Sequence, residues 1–174
     1  MSGIEVAIER LNGLSTSHAA SEMERFCGAA AWCHSMAERR PFQDRQAMKA
    51  AAEASFDVMT QADWLEAFSH HPKIGDIQSL RMKFAGNRDW SAGEQAGVAV
   101  TGDDVLVRLA EGNADYERTF GFIFIVCATG KSAEEMLAML EQRLSNEREI
   151  EMEIASREQR KITQLRIDKW ETPS

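Results

Sequence analysis

Thr60-Gln61-Ala62-Asp63-Trp64-Leu65-Glu66-Ala67-Phe68-Ser69-His70-His71-Pro72-Lys73-Ile74-Gly75 is the stretch whose reading decides the fold. Thr60 has a side-chain oxygen that can cap free amides at a helix start. Trp64, Leu65 and Phe68 then fall at i, i+1 and i+4, which puts three large apolar groups on one helical face. A helix over Gln61 to Ser69 follows. Pro72 and Gly75 end it, because proline cannot continue a helical ladder and glycine favours its exit. From His70 to Trp90 the pattern breaks: Pro72, Gly75 and Gly86 sit among mixed charges with little periodicity. An irregular stretch of that length inside a compact domain is unusual and is often functional. It is expected to line a cleft.

Working outward, helical patterns recur on both sides. Gln43 to Val58 is Ala-rich and helical. Ser21 to Ala37 reads as one helix, stopped by Glu38-Arg39-Arg40 and Pro41. Ile4 to Leu11 forms a short first helix on Ile4, Val6, Ala7 and Leu11. Downstream, helices resume at Ser91 and again near Thr101 to Thr119. Phe120 to Thr129 is open between a buried strand-like segment and a core helix, since periodicity does not separate the two in a short apolar run. Ser132-Ala133-Glu134-Glu135 has the form of a capping box and opens a helix to Leu144. Asn146-Glu147-Arg148-Glu149 opens the last helix, which runs to about Trp170. Its early turns hold Glu147, Glu149, Glu151 and Glu153, its later turns Arg157, Arg160, Lys161, Arg166 and Lys169. That polarity suits the helix dipole. The pattern predicts an all-α fold: one compact domain over residues 1–174 with eight to nine helices.

Composition agrees. The chain has 174 residues, 44% hydrophobic and 28% charged, with three prolines. Its length lets it bury roughly 70% of the unfolded surface without metal or disulfide. The net charge of −8 argues against a general nucleic-acid binder. Cys27, Cys33 and Cys127 are scattered and form no CxxC, so buried reduced thiols are expected. The N-terminal residues carry charges rather than a signal-peptide run. The longest apolar run, Phe120 to Thr129, falls short of the ~18 residues of a membrane span. Glu171-Thr172-Pro173-Ser174 is not a peroxisomal address. A cytoplasmic location and no membrane partner are the expectation.

Three constellations have chemical potential. His70 and His71 stand at a helix end, where histidine also favours the dipole. Adjacent helical residues point ~100° apart, so the pair does not readily share a metal, and no HExxH pattern accompanies it. Ser91 with Glu94 fits a capping box. The same helix start presents free amides that can hold an anionic group. In Arg157 to Arg166, Arg166 lies beside an apolar stripe. It either snorkels or turns inward to grip a carboxylate with two parallel hydrogen bonds.

Taken in order, these stretches resemble a family. The chain is similar to the 2-oxo-4-hydroxy-4-carboxy-5-ureidoimidazoline (OHCU) decarboxylases of urate degradation. The resemblance runs through Leu11-Asn12, Trp32 to Met36, Arg40-Pro41-Phe42, Asp63 to Phe68, His71 to Gly75 and Ser91-x-x-Glu94-Gln95. It continues through Phe120-Gly121-Phe122-x-Phe124-Ile125, Gly130-Lys131-Ser132, Arg143-Leu144-x-Asn146 and Glu158-Gln-x-Lys161-Ile162-x-x-Leu165-Arg166. It implies an all-α, cofactor-independent and metal-free enzyme that yields (S)-allantoin and carbon dioxide, commonly as a homodimer. It implies that His71, Glu94 and Arg166 are catalytic, with Arg160 a near neighbour of the arginine position. It also implies that Pro72, Ser91, Glu94, Gln95 and the segment Val126, Cys127, Ala128, Thr129 and Gly130 meet a small ureide substrate. His70 is expected to be dispensable.

That set suits the chemistry. Loss of carbon dioxide leaves negative charge on the ring, and without an electron-sink cofactor the protein must supply donors. A histidine moves protons near neutral pH, and a carboxylate orients it. Two other readings stand beside this one: a helical binding module, and a diverged ureide lyase or hydrolase.

Overall fold

The computed structural model describes residues 2–72, 80–82 and 95–171, with residues 95–103 as backbone only. The described residues are helices and turns without strands, as the periodicity predicts. Eight helices have defined bounds: α1 Gly3–Asn12, α2 Thr16–Met23, α3 Ala30–Glu38, α4 Arg45–Asp57, α5 Gln61–Ser69, α6 Gln95–Phe120, α7 Ala133–Arg143 and α8 Arg148–Asp168. Residues 80–82 are also helical. The chain divides into two compact units, residues 1–71 with 156–174, and residues 72–155.

The first unit holds α1 to α5 and the later turns of α8. Its core includes Ile8, Leu11, Met23, Phe26, Trp32, Met36, Met48, Phe56 and Phe68. Trp32, Phe56, Trp64 and Phe68 form a run of rings with centroids 5.3, 5.2 and 6.2 Å apart. The buried Trp32 indole donates to the Ala52 carbonyl at 3.2 Å, which satisfies its polar end. At the start of α5, Thr60 and Asp63 cap each other. The Thr60 amide donates to Asp63 at 2.8 Å and the Asp63 amide to Thr60 at 3.3 Å. Glu66, further along α5, accepts from the Ala30 amide at 3.2 Å, so one helix caps the next. Arg40 gathers the carbonyls of Leu11, Leu14 and Ala37 at 2.6, 2.8 and 2.9 Å. Asn12 pairs in both directions with the Phe42 backbone, at 2.8 and 2.9 Å.

Expectation and structure part over Ser21 to Ala37. The chain there is two helices, α2 and α3, with residues 24–29 between them. Within that turn Gly28 lies under His70: a Cβ at position 28 would stand 2.3 Å from the His70 ring. The Phe26 carbonyl, released from helical bonding, accepts from Thr163 and Arg166 instead.

The second unit holds 80–82, α6, the segment 121–132, α7 and the first turns of α8. Leu80, Leu106, Leu109, Tyr116, Phe124, Met136 and Leu140 are buried. The two helices read after Ser91 are one 26-residue helix, α6. A glycine inside a helix costs about 1 kcal/mol relative to alanine, and at Gly112 packing explains it. Leu140 of α7 packs against this glycine; a Cβ there would lie 2.6 Å from Leu140. Phe120 to Thr129 is neither strand nor helix beyond Phe120. Gly121, at φ +81°, ends α6, and the chain continues without repeating structure. The Ser132–Glu135 box forms as read, both bonds at 3.1 Å. The last helix begins at Arg148, and Asn146 donates to Glu151 at 3.0 Å. Glu151 itself is fully buried, not a solvated dipole charge.

Candidate functional site

His71 sits just past α5, and its amide still bonds the Phe68 carbonyl at 3.2 Å. That last turn places the two histidines in separate surroundings. The His70 ring lies against Gly28. The half-buried His71 ring reaches α8, where Nε2 bonds the Gln159 Oε1 atom. Gln159 is 0% exposed and donates to Thr163, also 0% exposed, at 3.0 Å. The Thr163 hydroxyl donates to the Phe26 carbonyl at 2.9 Å. Arg166 donates to the same carbonyl at 3.2 Å. Gln159, Thr163 and Arg166 fall at i, i+4 and i+7, one face of α8.

Burial is the first cause that lowers the His71 proton affinity below the ordinary 6.5. The Arg166 guanidinium and His70 push in the same direction, and the Gln159 bond opposes them. A neutral imidazole at neutral pH follows. Burial likewise pushes the Cys27 and Cys33 thiols up, to about 11 and about 12. Both are protonated and inert at neutral pH, in line with the expectation of buried thiols.

Arg160 and Arg166 separate clearly. Arg160 is tied to Glu53 and Asp57 of α4 at 2.7 and 2.9 Å. Its guanidinium lies 5.3 and 5.6 Å from the ring centres of Phe56 and Trp64. It is a helix tie. Arg166 faces the His71 network.

Ser91 and Glu94 lie outside the described residues, as do 73–79 and 83–90 of the stretch read as irregular from His70 to Trp90; within that stretch residues 80–82 are helical instead. Of Gln95 only the helical backbone is described. Pro72 is exposed. In the second unit, the Val126 to Gly130 segment is anchored by its own neighbours. Arg143 donates to the Ile125 carbonyl at 2.7 Å. The Lys131 side chain donates to Cys127 at 2.9 Å, and its amide to Ala128 at 3.0 Å. Gly130 supplies the positive φ of +76° that this turn needs. Cys127 is buried, while Thr129 and Gly130 are exposed. Behind the segment, Arg143 bonds Glu151 at 2.7 Å, and Tyr116 donates to Glu151 at 2.6 Å.

Sequence reading passed over Gln159 and Thr163. The signal was available: two polar residues at helical spacing before Arg166, on the stripe that must be buried. Among the described residues, no group of three or more His, Cys, Asp or Glu is placed to hold a metal ion. No helix among them is long and apolar enough to cross a membrane.

The family model for OHCU decarboxylase matches residues 12–168. The uric acid degradation bifunctional protein TTL of Arabidopsis thaliana is 38% identical over 143 residues, which is 82% of this chain and 44% of that protein. This chain therefore spans less than half of that relative. The 2-oxo-4-hydroxy-4-carboxy-5-ureidoimidazoline decarboxylase of Amia calva is 32% identical over 130 residues, 74% of this chain and 73% of that protein. A crystal structure of OHCU decarboxylase in the presence of (S)-allantoin superposes with a TM-score of 0.69 at 36% identity, covering 85% of this chain and 95% of that one. With nearly the whole length matched in order, the chain belongs to the OHCU decarboxylase family.

Proposed function

We propose that this chain decarboxylates 2-oxo-4-hydroxy-4-carboxy-5-ureidoimidazoline to (S)-allantoin and carbon dioxide without a cofactor, residues 1–174 acting as one catalytic domain. The observation that carries the reading is the His71 imidazole, half-buried and tied at one nitrogen to α8 beside Arg166, where burial holds its proton affinity below the ordinary value. In that substrate carbon 4 bears both hydroxyl and carboxylate, so the ring C=N must lie at carbon 5. Loss of carbon dioxide sends the bond pair toward carbon 5 and the ring nitrogen, which then takes a proton from solvent. Allantoin forms when the hydroxyl gives up its proton as C4=O appears and carbon 5 gains one from a single face. A neutral His71 accepts the hydroxyl proton and returns one to carbon 5. Arg166 holds the carboxylate and the developing anion. Glu94, as a nearby carboxylate, favours the cation formed during turnover. Ser91, Gln95, Pro72 and the Val126 to Gly130 segment read the ureide and ring edges.

We place the enzyme in the cytoplasm, which the three free buried cysteines support, and read it as a homodimer on the family resemblance. The test uses fresh intermediate made from urate, followed by circular dichroism. Optically active allantoin above the spontaneous background is the expected result. Racemic product at the background rate would favour the binding module or a diverged ureide enzyme.

A further inference from the structure

The hydrogen-bond chain behind His71 has a direction. A backbone carbonyl can only accept, so the Thr163 hydroxyl spends its one proton on the Phe26 oxygen, 2.9 Å away. Thr163 Oγ1 is then an acceptor toward Gln159, 3.0 Å away. The Gln159 NH₂ group must face Thr163, which turns Gln159 Oε1 to His71. An amide oxygen accepts, so His71 Nε2 must carry a proton. In the neutral imidazole the lone pair is therefore on Nδ1. The reverse orientation requires the Thr163 hydroxyl to leave Phe26 for Gln159. Both Gln159 and Thr163 are 0% exposed, so solvent does not compensate the lost bond. The amide orientation thus follows from a group with no rotational choice, the Phe26 carbonyl, which Arg166 also engages.

We propose that Gln159, oriented by Thr163 and the Phe26 carbonyl, is a positioning residue that holds His71 in the Nε2–H tautomer and makes Nδ1 the atom that exchanges protons with the ureide substrate. The substrate clause rests on the decarboxylase reading; the tautomer does not. Holding a catalytic histidine in one tautomer has large kinetic weight in other enzymes, because the wrong tautomer offers the reacting atom a proton where a lone pair is required.

The experiment is long-range ¹H–¹⁵N correlation of the full-length protein labelled at histidine, above the His71 pKa, with the resonance assigned by its loss in His71→Asn. The parent should show a protonated Nε2 and an unprotonated Nδ1. Thr163→Val keeps the shape of the side chain and removes the relay; it should give a mixture of tautomers, with kcat down about tenfold or more and KM nearly unchanged. Gln159→Leu should do the same, whereas Gln159→Glu retains an acceptor for Nε2–H and should restore the single tautomer. An Nδ1–H tautomer in the parent overturns the proposal. So does a folded Thr163→Val protein with parental tautomer and parental kcat. If Gln159→Leu does not fold, the parent spectrum and Thr163→Val still decide. A parent that shows the Nε2–H tautomer but forms no allantoin overturns the decarboxylase reading and not the tautomer.

Discussion

His70 and His71 are adjacent, yet among the described residues only His71 is seen bonded to a buried side chain. His71 is tied to Gln159, while His70 lies on the Gly28 backbone. Truncating His71 should lower kcat by on the order of 10²–10⁴, and His70→Ala should stay within about tenfold. Steady-state kinetics on the two variants checks this, and reversed losses would reassign the motif. The pH profile is a second prediction. Burial, Arg166 and His70 hold the His71 pKa below 6.5, and protonated His71 cannot accept the hydroxyl proton. The acid limb of kcat/KM should therefore fall below pH 6.5; a limb above 7 would show that a carboxylate, not burial, sets the proton affinity. Linkage has the same sign. In the window below the unfolded pKa of about 6.5 the unfolded chain binds a proton that the folded chain does not. The His71 contribution to stability is full above that window and declines as pH falls through it. Glu94 is the third test. Glu94→Gln keeps a residue that serves in a capping box and removes the charge. The variant should melt within a few degrees of the parent and lose more than about tenfold in kcat. Parental turnover would leave Glu94 as a cap only.

At the scale of elements, the segment between α6 and α7 has no ladder of its own and depends on α7 and α8 for its shape. Arg143 does the fixing: it bonds the Ile125 carbonyl and Glu151, and its guanidinium lies 4.6 Å from the Phe124 ring centre. Both charges of the pair are buried, 6% and 0% exposed at the side chain. Removing one partner strands the other in a dry site, which typically costs about 3–5 kcal/mol. Arg143→Leu should thus lower the melting temperature by roughly 10 °C or more, measured by calorimetry. Tyr116→Phe removes one bond to Glu151 and should cost only about 1–3 kcal/mol. Equal losses in the two variants would mean that the charge pair is not what holds the segment.

For the whole molecule, two expectations concern what the chain needs around it. Dialysis against a chelator should leave turnover unchanged, as no metal step enters the proposed reaction. Activity lost to the chelator and restored by a divalent ion would contradict that. Sedimentation equilibrium should give twice the 19.5 kDa mass of one chain, the mass of a homodimer; a mass of one chain at micromolar concentration would remove that reading.

What the sequence determined by itself was everything set within a turn or two of helix. Caps and apolar faces act between residues three and four apart, so the Thr60–Asp63 and Ser132–Glu135 boxes were legible, and with them the helical class. The family motifs were legible too, though many of their residues build scaffold: Asn12 pairs with Phe42, Arg40 collects helix-end carbonyls, and Glu66 caps α3. The tertiary structure decided what depends on distant partners. The absence of a side chain at Gly28 makes sense only once His70 arrives from α5. Glu151 looks like a solvated dipole charge until Arg143 and Tyr116 close over it. Gln159 looks like one more polar residue on a charged helix. Its partner is His71, 88 positions away, and its orientation is set by a carbonyl more distant still. Local pattern does not carry such pairings, because the energy that selects them is desolvation of polar groups in a core that exists only once the chain has folded.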